Sequence, residues 1–149
     1  MSVTRRALLG MAIAASASAM TPGDRGDSVV LFATDADPDL SLATLELRKL
    51  FLGFAIQHDG HVLRPIRNRS DARLDAIFLQ HVVAMSADVY ERRLLELSLQ
   101  QGRPRPIEVH SRAELLRGLG EARHVVSFAW LSEIAGIADV HVVRTLWRE

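Results

Sequence analysis

Four arginines, Arg64, Arg67, Arg69 and Arg73, crowd around Ser70-Asp71. A guanidinium fork binds phosphate or another oxyanion through two parallel hydrogen bonds. A helix start adds free backbone N–H groups and the positive end of the helix dipole. Ser70 and Asp71 are residue types that cap a helix, and Leu74, Ile77, Phe78 and Val82 follow at helical spacing. Arg67, Arg69, Ser70, Asp71 and Arg73 are therefore the candidate oxyanion-binding residues. The plainer reading is a solvated arginine surface with Asp71 as a cap.

Other groupings carry less chemistry. Asp35, Asp37, Asp39 and Glu46 match positions 1, 3, 5 and 12 of a calcium loop. Position 6 is Leu40 rather than glycine, Pro38 stiffens the segment, and a strand pattern precedes it, so a strand-to-helix loop is the better description. His58 and His61 flank an Asp59-Gly60 turn and would need a third ligand from the fold to hold a metal, with His110, His124 and His141 lying elsewhere. His81 falls on an apolar helix face and reads as a core residue. The chain has no Gly-x-Ser-x-Gly elbow, Walker loop or His-Glu-x-x-His, and no cysteine. No enzyme, cofactor or metal site is expected.

The elements that must position the arginines form a mixed α/β pattern. Val29–Ala33 is a short apolar run suited to a strand buried on both faces of a parallel or mixed sheet. Ser41 can cap a first helix bearing Leu42, Leu45, Leu47, Leu50, Phe51 and Phe54, with Gly53 as its stop. A second strand spans Val62–Ile66, confined by Pro65 to an edge or a strand end. The second helix follows Ser70, and Ser86 starts a third that ends at Gly102, before Arg103-Pro104-Arg105-Pro106. Ser111-Arg112-Ala113-Glu114 is a capping box ahead of a short fourth helix, weakened at its end by Gly118 and Gly120. His124–Phe128 and Val140–Leu146 read as strands around a helical turn. The expected class is α/β, a mixed sheet flanked by helices.

The first residues have a secretory pattern: Arg5-Arg6, an apolar stretch from Ala7 to Ala19, and Ala17-Ser18-Ala19 before a cleavage point. The apolar stretch is shorter than the roughly 20 residues a membrane-spanning helix needs. The arginine pair suits a twin-arginine route as well as an ordinary one. Residues 1–19 are expected to be a signal peptide, 20–28 a linker and 29–149 one domain, located in the periplasm or otherwise exported. Lys plus Arg and Asp plus Glu both number 18, so no overall field favours nucleic acid.

Ser41–Gly53, with its Phe51-Leu52-Gly53 ending, is followed by Arg64-Pro65-Ile66, Phe78-Leu79, Met85–Tyr90, Gly102-Arg103-Pro104 and Val125–Phe128. In this order they resemble the phosphate ABC-transporter substrate-binding proteins. The resemblance implies a periplasmic-binding-protein-like single lobe, a short relative of a two-lobed family, that binds phosphate or a similar oxyanion without catalysis and serves an ABC transporter permease or a sensor. The family's phosphate loop, Arg-x-Asp-x-Ser-Gly-Thr, would fall near Arg67–Leu74, where Arg69, Ser70 and Asp71 are the nearest counterparts and no Ser-Gly-Thr occurs. The alternative is an envelope protein-interaction module that kept the fold and lost the ligand site.

Overall fold

The computed structural model describes residues 27–149; the expected signal peptide and most of the expected linker lie outside the described residues. The main sheet contains β1 (Ser28–Thr34), β4 (Arg64–Asn68), β5 (Ile107–Val109), β6 (Val125–Trp130) and β7 (Val140–Arg148) in the order β5-β4-β6-β1-β7. β5, β4 and β6 run parallel, while β1 is antiparallel to both β6 and β7. The sheet is therefore mixed, as expected. Asp27 and Ser28, assigned to the linker, belong to the fold: the Asp27 carboxylate accepts from Ser28 N–H at 2.9 Å and from Ser132 Oγ at 2.6 Å.

Helices cover both faces. On one side α1 (Thr44–Phe51), α2 (Ala72–Phe78) and α3 (Ala87–Gln101) pack Leu47, Phe51, Phe78 and Tyr90 against Val29, Leu31 and Phe128. On the other, α4 (Arg112–Glu121) and α5 (Leu131–Ile134) pack Leu115 and Ile134 against Val30, Phe32 and Ala129. Alternate residues of β1 thus enter opposite cores, which is why its apolar run is continuous.

Several boundaries differ from the sequence pattern for local reasons. α1 begins at Thr44, with the Glu46 carboxylate accepting from Ala43 N–H, so Ser41 is not its cap. A small hairpin, β2 (Gln57–His58) and β3 (His61–Val62), precedes β4, and β4 lies inside the sheet despite Pro65. Arg64 N–H donates to His124 O on the β6 side, so position 65 faces β5, where pairing starts only at Ile66. Proline's missing N–H costs no ladder bond there. After α2 the chain widens into a π-helical turn, Leu79–Val83. The i→i+5 bonding changes the phase: Val82 and Val83 both face the core, and His81, expected to be a core residue, is exposed. α4 continues through Gly118 and Gly120 to Glu121.

Gly53 closes α1 at φ 90°, and a Cβ there would collide with the Pro104 carbonyl oxygen in the loop after α3. Gly53→Ala is expected to destabilise the chain by about 1–3 kcal/mol from backbone strain alone, before the collision is added. A urea midpoint unchanged from the parent would show that the α1 end and the Pro104 loop do not meet in this way.

Candidate functional site

The parallel strands β4 and β6 end side by side; a short loop leads from β4 to α2, and β6 runs directly into α5. In an open α/β sheet this strand-end crevice is where a ligand is expected. Asn68, fully buried at the end of β4, joins the two strands: its Nδ2 donates to Phe128 O at 3.0 Å. Its Oδ1 accepts from Ser70 N–H at 3.1 Å and from Ser70 Oγ at 2.7 Å. Asp71 caps α2 by accepting from Arg73 N–H at 2.8 Å, and its second oxygen accepts from Trp130 Nε1 at 2.9 Å. Beside it lies a shallow depression of about 260 Å³ between Asp27, Arg73, Trp130, Ser132, Glu133 and Glu149.

The sequence-predicted residues divide between two groupings, Arg67 and Arg69 beside Asp75 and Glu108 and Asp71 and Arg73 beside Trp130, and each has a partner within the chain. Arg67 is 1% exposed and donates to both Asp75 oxygens, from Nε at 3.0 Å and Nη2 at 3.1 Å. Its Nη1 reaches Glu91 at 3.0 Å and Glu108 at 3.4 Å, and its plane lies over Tyr90 and Phe78. Arg69 reaches Glu108 at 3.3 Å, and Arg105 donates to the second Glu91 oxygen. Three arginines therefore share three carboxylates. Arg73 sits over Trp147 at 4.5 Å and Trp130 at 5.7 Å and pairs with Glu149 at 3.3 Å. Ser70 is held by Asn68. The position an anion would take at the start of α2 is occupied by the Asp71 carboxylate, and α2 is only 7 residues long.

The electrostatics follow this pairing. Asp71 titrates below its ordinary range, first because of the Trp130 hydrogen bond and then the Arg73 N–H. Burial would raise Glu91, but the Arg105 and Arg67 hydrogen bonds outweigh it and the net shift is downward. Burial raises Glu133. Folded-state values below the unfolded ones mean that Asp71 and Glu91 stabilise the fold fully above the ordinary carboxylate range near 4 and lose that contribution as pH falls through their lowered values. Glu133 acts in the opposite sense. Denaturant midpoints are expected to fall on acidification below about pH 4, and Asp71→Asn should flatten that dependence. An identical acid limb in Asp71→Asn would remove Asp71 from this account.

Sequence reasoning missed the residues that neutralise the cluster. Asp75, Glu91 and Glu108 come from α2, α3 and β5, and only Asp75 was within local reach of the arginine pattern. It also missed Asn68, Trp130 and Trp147. Among the described residues, the buried side-chain nitrogens without a hydrogen-bond partner are Arg48 Nε and Arg144 Nε, outside the predicted site. In the Asp35–Glu46 segment, Asp37 accepts from Asp39 N–H and Glu46 from Ala43 N–H. No helix among the described residues is long and apolar enough to cross a membrane.

No family model and no curated protein matches the chain. Among solved structures, an ABC-type phosphate transport receptor from Vibrio cholerae superposes with a TM-score of 0.53 at 10% identity, covering 80% of this chain and 46% of the receptor. The chain thus spans about half the length of that receptor. The likeness is one of fold alone: the described residues form a mixed α/β unit whose fold is periplasmic-binding-protein-like.

Proposed function

We propose that this chain is an exported, non-catalytic, single-lobed relative of solute-binding receptors that works as a protein-interaction module of the cell envelope. The observation that carries the reading is the state of the expected anion site. Arg67 and Arg69 are held by Asp75, Glu91 and Glu108, and Asp71 fills the start of α2. An oxyanion entering there would have to displace carboxylates that already satisfy the same donors, and their negative charge would repel it. The surface offered instead is the strand-end face carrying Trp130, Trp147, Arg73 and Ser132, where amphipathic tryptophans and an arginine suit a protein partner.

The second reading is binding of phosphate or a similar oxyanion for ABC-type transport or sensing, with a permease as partner. It is favoured by the position of Arg73 and Ser132 at the strand-end crevice and by the receptor whose fold the chain resembles. Thermal stability of the purified chain, titrated with phosphate, sulfate and chloride at fixed ionic strength, separates the two. The interaction reading expects no phosphate-specific rise. A rise that Arg73→Ala or Arg69→Ala abolishes would establish the second; phosphate at about 100 times its dissociation constant would add roughly 2.7 kcal/mol. A photocrosslinker placed at Ser132 in producing cells should give a discrete adduct, while one at exposed His110 should not; matching patterns at both would count against the strand-end face.

A further inference from the structure

A cavity of about 520 Å³ lies where β4 and β5 begin, at the other end of these strands from Asn68 and Ser70. Leu50 and Phe54 come to it from the end of α1, Val62 and Leu63 from the hairpin and its exit, and Pro104 and Pro106 from the loop after α3. Two prolines stiffen that last wall. The volume falls within the range of small-molecule sites, which are lined in the same way by apolar side chains with a few polar groups. Val62 is 48% exposed and Ile107, the first residue of β5, is 55% exposed, so the chain's own core leaves apolar surface at this cavity uncovered.

The charge of the lining has one sign. Arg64, Arg103 and Arg105 line the cavity, and none of its described lining residues is acidic. Arg105 is held by Glu91. Arg103 is not held by a carboxylate: its guanidinium carbon lies 3.8 Å from the Phe54 ring centroid, and its Nε donates to the neutral Gln101 Oε1 at 2.9 Å. Among the described residues its two Nη atoms meet no acceptor. A guanidinium carried on an aromatic face with both terminal nitrogens open presents a fork to a carboxylate. We infer that this cavity binds a small amphipathic carboxylate of the medium-chain fatty-acid class, its chain against Leu50, Phe54 and Val62 and its carboxylate on Arg103. An inorganic oxyanion would leave the apolar walls wet, and an uncharged amphiphile would leave the Arg103 fork unpaired. The site is separate from the strand-end face of the proposed function.

The test is calorimetric titration of the full chain with sodium hexanoate, octanoate and decanoate below their micelle concentrations. Affinity should rise about fourfold for each methylene added, the value of burying one in an apolar site. 1-Octanol should bind at least about tenfold more weakly than octanoate, and Arg103→Met should weaken decanoate by a similar factor, since each loses a charged hydrogen-bonding partner. Val62→Glu, at an exposed position, sets a carboxylate in the cavity and should also weaken decanoate, so the test does not depend on how Arg103→Met folds. Arg117→Met makes the same charge change on α4, away from the cavity, and should bind as the parent does. The proposal is overturned if decanoate does not bind, if octanol binds as tightly as octanoate, or if Arg103→Met and Val62→Glu both bind decanoate as the parent does. Displacement of decanoate by phosphate would also overturn it, by placing the carboxylate in the strand-end crevice; without displacement, this result stands apart from the phosphate titration.

Discussion

Arg67→Met is expected to lower the unfolding free energy by about 3 kcal/mol, within the range for breaking one side of a buried ion pair. Removing the guanidinium leaves Asp75, Glu91 and Glu108 converging on an apolar stub against Tyr90 and Phe78. The lower end of the range applies because Glu91 is 41% exposed and can rehydrate, whereas Asp75 is 16% exposed and cannot do so freely. Asp75→Asn and Glu108→Gln, introduced into Arg67→Met, should restore part of the loss, because with Arg67 gone Arg69 is the arginine left to both carboxylates, at 3.7 and 3.3 Å. The deficit of Arg67→Met should also shrink in acid, where protonation neutralises the same carboxylates. Urea unfolding at neutral and acid pH reads both effects. A deficit that neither the added amide substitutions nor acid reduces would mean that Arg67 stabilises by packing alone.

This prediction differs in kind from the one that the sequence invites. The spacing of Arg64, Arg67, Arg69 and Arg73 reads as a guanidinium cluster at a helix start; in the structure Arg67 and Arg69 share the carboxylates Asp75 and Glu108, Arg73 lies over Trp147, and Arg64 stands at the opposite end of β4. What spacing cannot show is that Glu91 and Glu108, 24 and 41 residues beyond Arg67, converge on it from α3 and β5. Exposed arginine and buried arginine look alike in a one-dimensional pattern; only the register of β4 against β5, which sets Arg67 beside Glu108, separates them.

The helices and longer strands were legible because their apolar periodicity survives folding. β5 was not: three residues after a proline-rich loop carry no periodic signal, and they pair only because β4 presents an open edge. Likewise His81 lies at helical spacing from Phe78, and the π-helical turn alone moves it to the surface. The antiparallel insertion of β1 between β6 and β7 is a tertiary choice that a doubly buried apolar run accommodates in either direction.

Phe78→Ala should be the most damaging single substitution in the larger core, at about 3–5 kcal/mol. Phe78 is fully buried at the end of α2 and stacks on Phe128 of β6 with centroids 4.6 Å apart. It also meets Phe51 and Tyr90 edge-on at 5.0 and 5.7 Å. It therefore joins α1, α2, α3 and the sheet at one point, and the π-helical turn that starts at the next residue gives the backbone little freedom to close the cavity. Its ring is also one wall of the Arg67 site, 5.5 Å from the guanidinium carbon. Water admitted by Phe78→Ala would screen Arg67 from its carboxylates, so the two substitutions should be non-additive. A double-mutant cycle should give a coupling of about 0.5–3 kcal/mol, Arg67→Met costing less in the Phe78→Ala background. Strict additivity would mean that the aromatic cluster and the ion-pair cluster are independent, and that burial of Arg67 owes nothing to the ring beside it.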